Sequence, residues 1–195
     1  MATHSSELEI VLRKYIDSLG KEGRDRLRDL LKNKSVKTKY ELLMNLKGVE
    51  YSTFTGLHSA AFANDLKIIK YMLNGFSSSQ KYDVVKIQER VKYTALYTAA
   101  HKGYTSIINY LLSNLSQPQK YDLLKIQTQN GDTALHGAAI NENEEAVKAI
   151  ISSVSSHLLI QLFSVKNSKG ETVTDIRPEL YDELRVLMGQ GIVLI

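Results

Sequence analysis

The sequence predicts an all-α solenoid of about four 39-residue repeats with an N-terminal helical extension, and three observations predict it. Alanine pairs recur at Ala60/Ala61, Ala99/Ala100 and Ala138/Ala139, each preceded by a leucine, so that Leu57, Leu96 and Leu135 stand at a constant interval of 39. One more step lands on Thr174 in GETVTDI and brings a fourth unit into register. The interval also holds along whole units: QKYDVVKIQ (80–88) returns as QKYDLLKIQ (119–127), and LLKIQTQNGDT returns as LFSVKNSKGET (162–172). Within each unit the apolar residues fall at helical spacing. Units too small to bury an apolar face alone do so by stacking, so a register kept over full units is far more specific than one motif. The expected division is an extension over 1–48, repeats over 49–177, and a C-terminal capping helix with an apolar tail over 178–195.

The extension opens with SSELEIVLRKYIDSLG, a capped amphipathic helix carrying Leu8, Val11, Leu12, Tyr15, Ile16 and Leu19 on one face. EGRDRLRDLLKN and KYELLMNL follow as two further helices, and together they are expected to cap the first repeat. Each repeat then starts with a threonine (Thr94, Thr133, Thr172), whose hydroxyl can accept from the unpaired N–H groups of a first helix. The alanine pairs remove bulk where first helices of adjacent units must approach closely. A second helix carries the stripes Ile68/Ile69/Met72/Leu73, Ile107/Ile108/Leu111/Leu112 and Ala146/Val147/Ile150/Ile151, with Lys70, Asn109 and Lys148 turned outward. A short third helix follows, marked by Ser116 as cap and Pro118 in the first turn. Its apolar residues recur as Val84/Val85/Ile87, Leu123/Leu124/Ile126 and Leu162/Phe163/Val165. A tight turn such as Asn130-Gly131 closes the unit.

TALHGAA, TALYTAA and TGLHSAA resemble the ankyrin repeat signature Thr-Pro-Leu-His-x-Ala-Ala, and the resemblance covers about Glu50 to Ile176. Three departures stand out. Ala95, Ala134 and Gly56 replace the proline, and Tyr97 stands where His58 and His136 stand. The units run 39 residues where about 33 is usual, a surplus that the third helix accounts for. The turn glycine is present at Gly131 and Gly170 but absent at Thr53 and Lys92, so irregular tips are expected at those two places. The long units joined by KYDLLKIQ also resemble the ankyrin effectors that intracellular bacteria of the Legionella and Coxiella type deliver into host cells.

Composition narrows the function. With 43% hydrophobic and 24% charged residues and two prolines, most of the chain should fold. The absence of cysteine removes disulfides, thiolate nucleophiles and cysteine-bound zinc, and fits a reducing compartment. No apolar run approaches the roughly 20 residues that span a bilayer. MATHSSELEI lacks a basic region followed by an apolar one, so an ordinary cleaved signal is not expected and the cytoplasm is the expected location. The net charge of +4 is modest, and the basic stretch Arg24 to Lys39 reads as a solvated helix face and linker. HExxH, GxxxxGK[ST] and GxSxG are absent, so no catalytic residue, cofactor or metal is expected. By the resemblance, His58 and His136 are structural hydrogen-bonding residues.

The resemblance further implies that partners meet the hairpin tips and the face of the first helices. The tip position before each threonine reads Phe54, Tyr93, Asp132 and Glu171, and the position after each alanine pair reads Phe62, His101 and Ile140. With Tyr51, Arg90 and Lys102 these give an aromatic and basic first half and an acidic, polar second half. The expected partner-binding residues are therefore Tyr51, Phe54, Phe62, Arg90, Tyr93, His101, Lys102, Asp132 and Ile140. The competing expectation is that the N-terminal helices cover Tyr51, Phe54 or Phe62. At the other end, Glu179, Asp182 and Glu183 precede a wholly apolar Ile192 to Ile195. This tail packs onto the last unit, acts as a type IV secretion signal, or adds as a strand to a PDZ-like groove.

The function expected is a non-enzymatic, monomeric protein-binding module, read through the resemblance as an effector that engages a host protein. Two other classes stay open. One is a small enzyme or enzyme regulator with its active element before Gly48, and the other is a basic nucleic-acid or lipid binder.

Overall fold

The computed structural model describes residues 29–45, 56–180 and 182, and every regular element among them is helical. Tyr51, Phe54, the tip residue Thr53, the helices expected over the first 28 residues and the tail over 183–195 lie outside the described residues. In chain order the helices lying wholly within the described residues are α1 (Val36–Asn45), α2 (Gly56–Phe62), α3 (Leu66–Leu73), α4 (Ser78–Val85), α5 (Ala95–His101), α6 (Thr105–Leu112), α7 (Gln117–Leu124), α8 (Ala134–Ile140), α9 (Glu144–Ser152), α10 (Ser156–Phe163) and α11 (Val173–Ile176).

They stack in parallel rows. The inner helices α2, α5, α8 and α11 pack in sequence, and the short third helices α1, α4, α7 and α10 form a second row. Outer helices α6 and α9 pack on each other and on their own inner partners. Close approach in the inner row follows from the alanine pairs, all of them buried with nothing but methyl groups to accommodate. Leu57, Leu96 and Leu135 are equally buried, so side chains 39 residues apart occupy equivalent surroundings. The second-helix stripes lie in one continuous core, where burying each large aliphatic side chain contributes about 1.5–3 kcal/mol. Lys70, Asn109 and Lys148 face out.

Caps set the helix starts. Thr94, Thr133 and Thr172 each accept from the backbone N–H three residues on, and Ser77 and Ser116 complete reciprocal capping boxes with Gln80 and Gln119. Left-handed backbone also recurs at the sequence interval: Asn64, Gly103 and Glu142 end the inner helices with φ of 56°, 74° and 55°.

The last helix of the extension is placed like a repeat helix. α1 packs against α4 as α4 packs against α7, and Ser35 accepts from the N–H of Thr38 in the manner of Ser77 and Ser116. Lys39 Nζ donates to the carbonyls of Tyr71 (3.2 Å) and Asn74 (2.7 Å) at the end of α3. Lys81 makes the same contact one unit on, with the carbonyls of Tyr110 and Ser113 at the end of α6, and Lys120 with that of Ser153 after α9. Each lysine thus answers the orphan carbonyls of the following unit's outer helix. KYELL in α1 matches KYDVV in α4 and KYDLL in α7.

Candidate partner-binding face

Successive third helices lead into hairpin tips built on one hydrogen-bond plan. Glu89, Thr128 and Asn167 donate their N–H groups to the carbonyls of Tyr93, Asp132 and Glu171 at 3.0, 2.9 and 2.9 Å. Three residues into each tip the backbone turns left-handed, at Lys92 (φ 61°), Gly131 (76°) and Gly170 (80°). The irregular tip expected at Lys92 is therefore not found: the lysine takes the glycine conformation, and its N–H reaches the Glu89 carbonyl at 2.9 Å as Gly131 reaches Thr128. The Glu89 carboxylate supports it, accepting from the N–H groups of Val91 and Tyr93.

Neighbouring tips are joined to each other. Gln129 donates to the carbonyl of Val91 and Ser168 to that of Asn130, at 3.2 and 2.9 Å. Gln88 donates both to Lys92 O in its own tip and to Gln127 O in the next, and Gln127 repeats the pattern with Gly131 O and Lys166 O. From below, His58 Nε2 donates to Tyr93 O at 2.9 Å and His136 Nε2 to Glu171 O at 3.2 Å. Burial pushes the His58 imidazole down to about 4, so the neutral ring is the one that makes this bond. Both histidines are the structural residues that the resemblance implied.

Where a histidine is missing, an aromatic stack takes its place. The Tyr97 ring lies 4.5 Å from that of Tyr93 and 5.9 Å from that of His101, linking the tip to the end of the inner helix. Asn141 of the next unit donates to His101 Nδ1 at 2.7 Å. Burial first, and the Lys102 ammonium second, hold His101 below its ordinary value, which suits an acceptor nitrogen. On the other side, Lys102 Nζ stands 4.9 Å over the Phe62 ring. These contacts bring Phe62, Tyr93, His101 and Lys102 onto one continuous surface, with Ile140 one unit further on beside Asn141.

Phe62 is 54% exposed, Ile140 48% and Val91, at the tip between Arg90 and Lys92, 39%. Phe62 is thus largely exposed to solvent. Arg90 and Lys102 are exposed, and Tyr93 and His101 are half-buried. Asp132 departs from the expectation: it is 8% exposed, and its carboxylate accepts from Asn167 Nδ2 at 3.2 Å within the stacked tips. The acidic second half shrinks accordingly, because the Glu171 carboxylate also accepts from Asn167. Sequence reasoning missed Tyr97 as the link in this surface, although its place in the histidine position was the signal.

A family model described as ankyrin repeats (3 copies) matches residues 30–122 and 57–161. The chain is an ankyrin repeat protein. The ankyrin match begins at residue 30, inside the segment expected to be an extension, where α1 repeats the contacts of α4 and α7. As an ankyrin array the chain is a protein–protein interaction module. No curated protein is similar enough to the chain to count as a match. Among the described residues no helix is long and apolar enough to cross a membrane, and no three His, Asp or Glu side chains gather as metal ligands.

Proposed function

We propose that this chain binds its partner through the face formed by the hairpin tips and the ends of the inner helices, without catalysing a reaction. One observation carries the reading: the exposed large hydrophobic residues among the described positions are Phe62, Val91 and Ile140, and all three belong to this face. Apolar side chains left in water, Phe62 and Ile140 at equivalent places two units apart and Val91 at a tip, offer a partner area to cover, and aromatic anchors lose little rotamer freedom in doing so. The proposed interface includes Tyr51 and Phe54 on the repeat register of the sequence alone. The test is capture from lysate with the intact chain and with Phe62→Ala/Ile140→Ala. Partners that the double variant retains at full yield place the binding elsewhere.

The resemblance of the long units to ankyrin effectors of intracellular bacteria supports a finer reading, in which the partner is a host protein and the acidic residues before the apolar tail direct export. A chain lacking the last residues should then fold normally but fail to reach the host cytosol in a translocation reporter assay. Delivery equal to that of the intact chain rejects the export role.

A further inference from the structure

Resting on the reading that this face binds a protein, we infer that the partner presents an acidic segment with apolar side chains at intervals. The reason lies in where the face's carboxylates go. Glu89 accepts from two N–H groups of its own tip, and Asp132 and Glu171 both accept from Asn167. Asp175 is turned to the Thr172 cap. The tips thus take up three acids, with Glu89 and Asp132 buried and Glu171 half-buried, and leave Asp175 at the start of α11 and Glu142 at the end of α8 exposed.

The cations are not consumed in the same way. Arg90, Lys92, Lys102, Lys166 and Lys169 are all exposed and none forms an ion pair among the described residues, although the Lys166 charge is felt by Asp175. The tip ladder runs Lys92, Gly131, Gly170 at one position, with Arg90 and Lys169 beside its two ends, so positive charge flanks the whole line of stacked tips. Between and beside these charges stand Val91, Phe62 and Ile140, and the Lys102 ammonium over the Phe62 ring joins the two features in one contact. Unpaired cations raise the local concentration of an acidic partner and speed its capture, while the apolar residues hold it. A phosphate backbone would answer the charges but would leave the three apolar side chains without contact, so the peptide is the class that uses both.

The test is selection of short random peptides displayed on phage against the immobilised full chain, followed by fluorescence anisotropy of synthesised winners. Enriched peptides should be net acidic with aromatic or aliphatic residues. Their affinity should fall at least about tenfold for Arg90→Glu/Lys166→Glu, mainly through slower association, and also fall for Phe62→Ala/Ile140→Ala. Neutral or basic winners that still depend on Phe62 and Ile140 overturn the acidic partner while leaving the binding face standing. Winners indifferent to both double variants overturn the face itself, and the inference falls with it. The absence of any enrichment, or tighter binding to a labelled DNA duplex than to the peptides, also overturns the inference.

Discussion

Gly137 sits inside α8, and a methyl group added there would lie 2.9 Å from Cε2, 3.3 Å from Cζ and 3.4 Å from Cδ2 of Tyr97. Helix propensity alone says that Gly137→Ala should stabilise the protein by about 1 kcal/mol. The contact says the reverse. The Tyr97 ring is buried and has aromatic neighbours in Tyr93 and His101, so it has little room to retreat, and overpacking of this kind costs about 1–3 kcal/mol. The expected net effect is a loss of about 0–2 kcal/mol. Equivalent positions one and two units earlier carry Thr98 and Ser59, and Thr98 follows a unit whose ring is His58 rather than a tyrosine. Removing the long ring should therefore change the sign: in a Tyr97→His background the same alanine should stabilise by up to about 1 kcal/mol. Urea unfolding of the four chains closes a double-mutant cycle with an expected coupling of about 1–3 kcal/mol. An alanine variant more stable than the native chain would refute the reasoning, because the ring would then have had space.

The His58 imidazole is pushed by burial from 6.5 to about 4, so the folded state resists a proton that the unfolded chain accepts. Its contribution is complete above pH 6.5 and drains away as pH falls toward 4, by about 3 kcal/mol in all; urea midpoints across that range should show a slope that His58→Gln flattens, and an unchanged slope contradicts the burial argument. Lys81→Met removes the ammonium of a residue only 5% exposed and leaves the carbonyls at the end of α6 with one donor fewer, which should cost about 2 kcal/mol in the same measurement. A variant that keeps native stability would show that these carbonyls do not need the lysine. At the tips, Lys92→Gly should raise stability by about 0.5 kcal/mol, since glycine adopts the left-handed turn without the side-chain penalty but leaves a freer unfolded chain. Gly131→Ala should instead lower the unfolding midpoint strongly, because its methyl group would sit 2.5 Å from the backbone nitrogen of Ser168; equal signs for the two variants would mean that the tips do not share one geometry.

Much of this could be read from residue types because the information was local and periodic. Thr94 and Ser116 announce helix starts through chemistry that acts within one turn, and Ile107, Ile108, Leu111 and Leu112 reveal a buried face by spacing alone. The features that escaped depend on a neighbouring unit. Lys39 and Lys81 are separated by 42 residues rather than 39, so the register breaks there, and α1 reads as part of an extension although KYELL carries the repeat's signature. Lys81 looks like surface charge until its carbonyl partners on the next outer helix are known. Asp132 looks like a free acid at a tip for the same reason: its acceptor role belongs to Asn167, 35 residues away. Tyr97 was visible as a departure from the histidine pattern, but only the missing side chain at Gly137 explains how the ring fits.

The lysine, glutamine and histidine series all point the same way along the chain. In each, a donor in an earlier unit serves a carbonyl in a later one: Lys81 to Ser113, Gln88 to Gln127, His58 to Tyr93. A nascent chain leaving the ribosome would therefore meet, unit by unit, donors that have already been synthesised. Losing a unit from the end leaves the donors of the unit before it without their carbonyls, whereas losing one from the start leaves the carbonyls of the next layer without their donors. In these three series the direction from donor to acceptor is the direction of translation.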